Sequence, residues 1–239
     1  MINTLLFDLD GTLLPFDVHP FMQGYFERLV PTLVDHYEPT AVTAWILDAT
    51  QKVVENESPQ LTNMEKFRRA LFGGNVDDES RVWPIFEQFY RTTFEELRHL
   101  THPTKIAREI CRTATAKGYR VVLATNPIFP DIATNARMRW AEIDDVAFEL
   151  VTTMENSHFC KPNPKYYLEV AEKVGAAPSE CMMFGNDVQE DGAAGYVGMH
   201  TFLVTDYVID RNLGTFDFDQ QGTLSEVLDY VKSLPTVSI

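Results

Sequence analysis

Five short, unbroken apolar runs constrain this chain more than any other feature: Thr4–Leu9, Arg120–Thr125, Phe148–Thr152, Cys181–Phe184 and Thr201–Val204. A strand with one wet face alternates apolar and polar residues. Continuous runs of this length predict strands buried on both faces of a parallel sheet. From the second run onward helical patterns separate them, over Asp131–Ala141, Pro164–Val174 and Glu190–Val197. Pro103–Lys117 leads into the second run and stops at Gly118. Leu224–Ser233 follows the last run, entered through a capping box of Thr223 and Glu226. Strands alternating with helices predict an α/β fold with a doubly wound parallel sheet.

The interval between the first two runs breaks this rhythm. Residues 16–102 contain no strand pattern, only helical ones near Pro20–Tyr37, Thr40–Glu55, Asn63–Leu71 and Arg81–Leu100. Thr62 and Glu65 form another capping box, and Gly73-Gly74 ends the helix that it starts. A stretch of about 85 residues is too long for a loop. The expected organisation is an α/β core of residues 1–15 and 103–239, with a small all-helical domain over 16–102.

Bulk properties narrow the function. Of 239 residues, 45% are hydrophobic, enough for a substantial core, and the net charge of −15 repels polyphosphate backbones. Nucleic acid is therefore not an expected partner. Cys111, Cys160 and Cys181 are odd in number and widely spaced, matching neither a zinc site nor a disulfide framework. No basic leader opens the sequence, and no apolar run reaches the roughly 18–20 residues of a membrane helix. The expectation is a soluble cytoplasmic protein with no membrane partner and an open oligomeric state.

In an open α/β sheet, ligands sit beyond the carboxyl ends of the strands. Here the first run ends in Asp8-Leu9-Asp10-Gly11-Thr12 and the second in Thr125-Asn126. Lys161 follows the third, and the fourth runs into Gly185-Asn186-Asp187. Ionised carboxylates at the rim of an apolar core are costly unless something cationic lies close. Gly11 permits a tight turn that aims both acids at one point.

Asp-x-Asp-Gly-Thr-Leu after an apolar strand resembles the first motif of the haloacid dehalogenase-like hydrolases. Thr125, Lys161 and Gly185-Asn186-Asp187-Val188-Gln189-Glu190-Asp191 are similar to the second, third and fourth, in order. The four motifs span residues 8–191. The resemblance implies a phosphomonoester hydrolase acting on a small phosphorylated metabolite, with Asp8 as covalent nucleophile and Asp10 as general acid and base. It implies a Mg2+ cofactor held by Asp8, the Asp10 carbonyl and Asp187. Thr125, Asn126 and the backbone N–H groups from Leu9 onward would hold phosphoryl oxygens. Lys161 would stabilise their charge, and Asp191 would orient Lys161 or a metal-bound water. Glu190 reads as a solvated face residue, with a supporting acid behind the site as the alternative. Asn186 departs from the family pattern, where an acid commonly follows the glycine directly.

The resemblance makes residues 16–102 a cap domain. Phe16, Asp17, His19, Phe21 and Tyr25 are then candidates to reach substrate, whereas Arg68 and Arg69 read as solvent-facing. Transfer of the sugar phosphomutase type is an alternative enzyme reading, and a non-enzymatic binding module another. Asp10 argues against dehalogenation, since dehalogenases of the superfamily lack that acid. Phosphonate hydrolysis would need a cap lysine, for which Lys52 is the conceivable residue.

Overall fold

The computed structural model describes residues 1–214 and 216–237. Its centre is a six-stranded parallel sheet: β1 Thr4–Phe7, β2 Arg120–Leu123, β3 Leu150–Val151, β4 Cys181–Gly185, β5 His200–Val204 and β6 Gln220–Gly222, in the order β3-β2-β1-β4-β5-β6. The central strands read as continuous apolar runs because both of their faces are covered. Leu5, Phe7, Val121, Leu123, Met182 and Phe184 pack into one core cluster; Leu6, Val122, Cys181 and Met183 pack into the other.

Register places the site. Phe7 lies opposite both Leu123 of β2 and Phe184 of β4, so these three strands end level. The chain leaves β1 toward β2 on one side and later returns to β4 on the other. The end of β1 is therefore the topological switch point where α/β sheets open a crevice.

Over residues 16–102, between β1 and β2, every regular element is helical, the α-helices being α1 Val18–Leu29, α2 Pro39–Glu55, α3 Asn63–Phe72 and α4 Val76–Arg91. They share the first core cluster with the sheet, through residues such as Phe21, Val42, Phe67 and Phe86. The expected helices here differ at their ends. Pro20–Tyr37 is interrupted after Leu29, where Pro31 cannot donate to an α-helical ladder and the backbone tightens into a 3₁₀ turn over Val30–Leu33. Arg81–Leu100 is α4 followed by a 3₁₀ stretch over Thr93–Leu100; α4 begins earlier than expected, because Asn75 caps it by accepting from the Asp78 N–H.

The remaining helices are α5 Lys105–Ala116, α6 Asp131–Trp140, α7 Pro164–Lys173, α8 Val188–Gly192 and α9 Leu224–Ser233. The expected Glu190–Val197 helix is instead α8 plus a 3₁₀ turn over Ala193–Val197. Both sheet edges also depart from expectation. The Phe148–Thr152 run pairs only over Leu150–Val151, and β6, with the sequence Gln-Gln-Gly, carries no apolar signal. Edge strands are half-solvated, so polar residues cost little there.

Among the described residues no helix is long and apolar enough to cross a membrane. The three cysteines are free and buried, and burial pushes the Cys111 and Cys160 thiols up to about 12 and Cys181 to about 11. Thiolate is the reactive form. At pH 8 the native protein should resist a thiol reagent such as DTNB, and guanidinium should release three reactive thiols per chain. Rapid labelling of the native protein would contradict this packing.

Candidate active site

The Asp8 N–H donates to the Phe184 carbonyl at 2.9 Å, carrying the sheet's ladder to the rim. Beyond it the chain folds back on itself. Thr12 and Leu14 N–H donate to the Leu9 carbonyl at 3.2 and 2.8 Å, and Gly11 N–H donates to the Leu14 carbonyl at 2.9 Å. Gly11 has φ +79°, and a Cβ there would sit 2.3 Å from Asn186 Nδ2. Only glycine tolerates both conditions. Asn186 is the strap that needs this room: its Oδ1 accepts from the Thr12 hydroxyl at 3.0 Å and its Nδ2 donates to the Tyr207 carbonyl. The departure at Asn186 thus joins the first turn to the loop after β5.

Lys161 ties the strand ends together. Its Nζ lies 2.8 Å from Asp8 Oδ1 and 2.6 Å from Asp191 Oδ1, with the lysine side chain 1% exposed. Burial alone would lower the Lys161 ammonium. Asp191 and Asp8 outweigh it and hold the pKa well above the usual lysine range. Burial raises Asp8, and it lifts Asp191 to about 7 against the pull of Lys161. The backbone beneath is fitted to this contact: a Cβ on Gly185 would lie 2.0 Å from Asp191 Oδ2. Gly185→Ala should therefore push Asp191 off Lys161 and cost about 3 kcal/mol. In a double-mutant cycle with Asp191→Ala the two losses should be far from additive, by chemical denaturation. Additive losses would mean that Gly185 and Asp191 do not meet.

Two arginines hold the other acids. Arg137, fully buried on α6, pairs with Asp10 Oδ2 and stacks its guanidinium 4.6 Å from the Phe129 ring. Arg211 Nη1 lies 2.7 and 2.6 Å from the two oxygens of Asp187, and its Nη2 is 3.5 Å from Glu190. Asp187 Oδ1 also accepts from the Gln189 and Glu190 N–H groups, capping α8. Among the described residues no three His, Cys, Asp or Glu side chains converge as a ready-made metal cage. The donor set nevertheless suits a hard divalent cation. Asp8, Asp10, Asp187, Glu190 and Asp191 line one cavity, outnumbering the three cations Lys161, Arg137 and Arg211. Burial raises Asp8, Asp10, Asp191 and Glu190, the last to about 8, so the cluster is short of positive charge. Asp10 Oδ1 is buried without a hydrogen-bond partner.

The cavity has a volume of about 240 Å³. Its second wall is apolar, made by Phe16, Val18, Phe21 and Met22 from the entry to α1 and by Ile128 and Phe129 from the loop after β2.

A model of the haloacid dehalogenase-like hydrolases matches residues 2–197. The chain belongs to that family. It is an enzyme, a haloacid dehalogenase-like hydrolase, and its relatives include named phosphatases. A phosphoglycolate phosphatase of Nitrosospira multiformis is 25% identical over 238 residues, 97% of this chain and 95% of that protein. The pyrophosphatase PpaX of Bacillus cereus is 25% identical over 191 residues, 78% of this chain and 75% of that protein. The crystal structure of a HAD phosphatase from Thermococcus onnurineus superposes with a TM-score of 0.59 at 20% identity, covering 99% of this chain and 100% of that one. At that identity the likeness supports the fold.

In this hydrolase Asp8, Asp10, Thr125, Asn126, Asp187 and Asp191 all line the cavity, with Lys161 immediately behind. Leu9 is fully buried and does not line the cavity. Asn126 is a strap: its Oδ1 accepts from the Lys161 N–H at 3.2 Å and its Nδ2 donates to Glu190 Oε2 at 3.0 Å. Reading Glu190 as a solvated face residue needs correction. Its side chain faces the cavity, bonded to Asn126 and near Arg211, because Asp187 caps α8 and turns that first turn inward. Of the five expected substrate contacts, Phe16 and Phe21 line the cavity. Asp17 caps α1 through the His19 N–H, His19 is exposed, and Tyr25 is buried with its hydroxyl 2.8 Å from that of Tyr90. Lys52 lies on an exposed helix face, 2.7 Å from Asp48. Arg68 is not free in solvent but pairs with Glu79 and stacks on Trp83. Sequence reasoning missed Arg137 and Arg211. A buried arginine in register with Ala133, Ala136 and Trp140 of α6 was a legible signal; a lone arginine in the loop after β5 was not.

Proposed function

We propose that this hydrolase cleaves phosphomonoesters through an aspartyl-phosphate formed on Asp8, with Mg2+ as cofactor. The observation that carries the reading is the buried Lys161 pinned between Asp8 and Asp191 at the switch point, with Asp10 two residues from Asp8. Asp8 would attack phosphorus as the bond to the leaving oxygen breaks. Asp10 would give that oxygen its proton, then take one from the water that hydrolyses the aspartyl-phosphate and releases phosphate. Burial raises the Asp10 carboxyl, which suits a proton donor, while Arg137 opposes the shift and fixes the side chain. Lys161, the Thr125 hydroxyl and the N–H groups of Leu9 and Asn126 would stabilise charge on the phosphoryl oxygens. The ion would be held by Asp8, the Asp10 carbonyl and Asp187, with Arg211 yielding Asp187, and would offset repulsion between the anionic nucleophile and phosphate. Asp191 keeps Lys161 oriented.

Residues 16–102 would form a cap on a core of residues 1–15 and 103–239, excluding water during transfer. The test is hydrolysis of 4-nitrophenyl phosphate with magnesium, abolished by EDTA and restored by added magnesium. Turnover that survives EDTA would remove the metal from the reading. No hydrolysis of any phosphate ester would remove the reading itself.

A further inference from the structure

The wall that faces the acids across the cavity has an unusual chemistry for a site that handles small metabolites. Val18 and Met22 on α1 and Ile128 and Phe129 after β2 are its surface, backed by Phe16 and Phe21, whose rings lie 4.6 Å apart. None of these side chains can donate or accept a conventional hydrogen bond. Hydroxyl groups on a leaving group would lose water there and gain nothing in return.

Charge points the same way. Five carboxylates line the cavity, and Arg211 is the one cationic side chain among its described lining residues. Arg211 pairs with Asp187 and Glu190, and when it yields Asp187 to the ion Glu190 remains as its partner. Lys161 and Arg137 lie behind the wall, each 1% exposed, and are committed to Asp8, Asp191 and Asp10. A carboxylate or second phosphate on the leaving group would enter a field of like charge with no free partner.

We infer that this chain accepts phosphate esters of uncharged, largely apolar alcohols, aryl or short branched alkyl, and discriminates against leaving groups that carry a second anion or several hydroxyls. The inference rests on the phosphomonoester reading and deepens it. It separates this chain from the relative named a phosphoglycolate phosphatase, whose named substrate carries a carboxylate.

The experiment compares kcat/KM with magnesium for phenyl phosphate, 4-carboxyphenyl phosphate and phosphoglycolate. The carboxyl group makes the phenol a slightly better leaving group, so chemistry alone favours the substituted ester. Phenyl phosphate should nevertheless win by about 30-fold or more, and phosphoglycolate should be poorer still. Met22→Lys and, independently, Val18→Lys place a cation on the wall. Each should shift the ratio toward 4-carboxyphenyl phosphate by about 10-fold. His19→Ala, exposed and outside the cavity lining, should leave the ratio unchanged. Equal or better rates for the carboxylate esters, with that preference lost in Arg211→Gln, would show that Arg211 receives a distal anion and would overturn the inference. Hydrolysis of none of the three would instead overturn the phosphomonoester reading beneath it.

Discussion

Asp8→Asn should lower turnover of 4-nitrophenyl phosphate on the order of 10⁴-fold or more while leaving the fold in place. The side chain keeps its shape, and an amide oxygen can still accept the Lys161 ammonium now 2.8 Å from Asp8. Electrostatics favour the variant's stability, because burial already opposes ionisation of Asp8. Only the nucleophilic oxygen is lost. Asp10→Asn should behave differently. A general acid matters most for a poor leaving group, so the loss should be larger for an alkyl phosphate than for an activated aryl ester, within roughly 10²–10⁴. Steady-state kinetics on both esters, beside thermal denaturation, would separate the roles. Asp8→Asn retaining even a tenth of parental turnover would end the covalent assignment.

What could be read from sequence follows burial. β1, β2 and β4 are covered on both faces, so each was visible as an apolar run ending at a polar residue. The edges were not: β6 is Gln-Gln-Gly, and β3 is two residues long. Asp8, Asp10 and Asp187 were legible because they lie just past the ends of β1 and β4, which level registry brings together. Lys161 and Asp191, farther from β3 and β4, were legible through their resemblance to the family's motifs. Arg211 was not, and the register of Arg137 with the buried residues of α6 marks it as buried without naming its partner, because what each arginine pairs with depends on how α6 and the loop after β5 pack. Glu190 was misread for the same reason. Its neighbour Asp187 caps a helix only five residues long, which sets the direction that Glu190 faces. Contacts from the entry to α1 were partly legible: aromatic residues stand out there, but which of them face the cavity rather than the helical core depends on how that turn and α1 pack. Thus Phe16 and Phe21 reach it while Tyr25 turns toward Tyr90.

Lys161→Met should be the most destabilising substitution in the site, and the reason is the charge left behind. Methionine roughly fills the volume of the lysine stem, so packing changes little. Asp8 and Asp191, 7% and 1% exposed, would then face each other without the cation that separates them. Removing one partner from a buried ion pair costs about 3–5 kcal/mol, which for a chain of this size lowers Tm by roughly 10 °C. The deficit has a definite pH dependence when measured in EDTA. Burial raises the Asp191 carboxyl to about 7 even with Lys161 present, and removing the lysine raises it further. A carboxyl whose folded pKa exceeds its unfolded value binds more protons in the folded state, so stability falls as pH rises between those two values. Lys161→Met should accordingly be near parental stability at pH 5 and much weaker at pH 8. Adding Asp191→Asn to it should recover most of the stability at pH 8 and none of the activity, because the phosphoryl cradle still lacks its cation. A pH-independent loss, or a double variant no more stable than Lys161→Met, would mean that Lys161 supports the fold through packing rather than through the two carboxylates it joins.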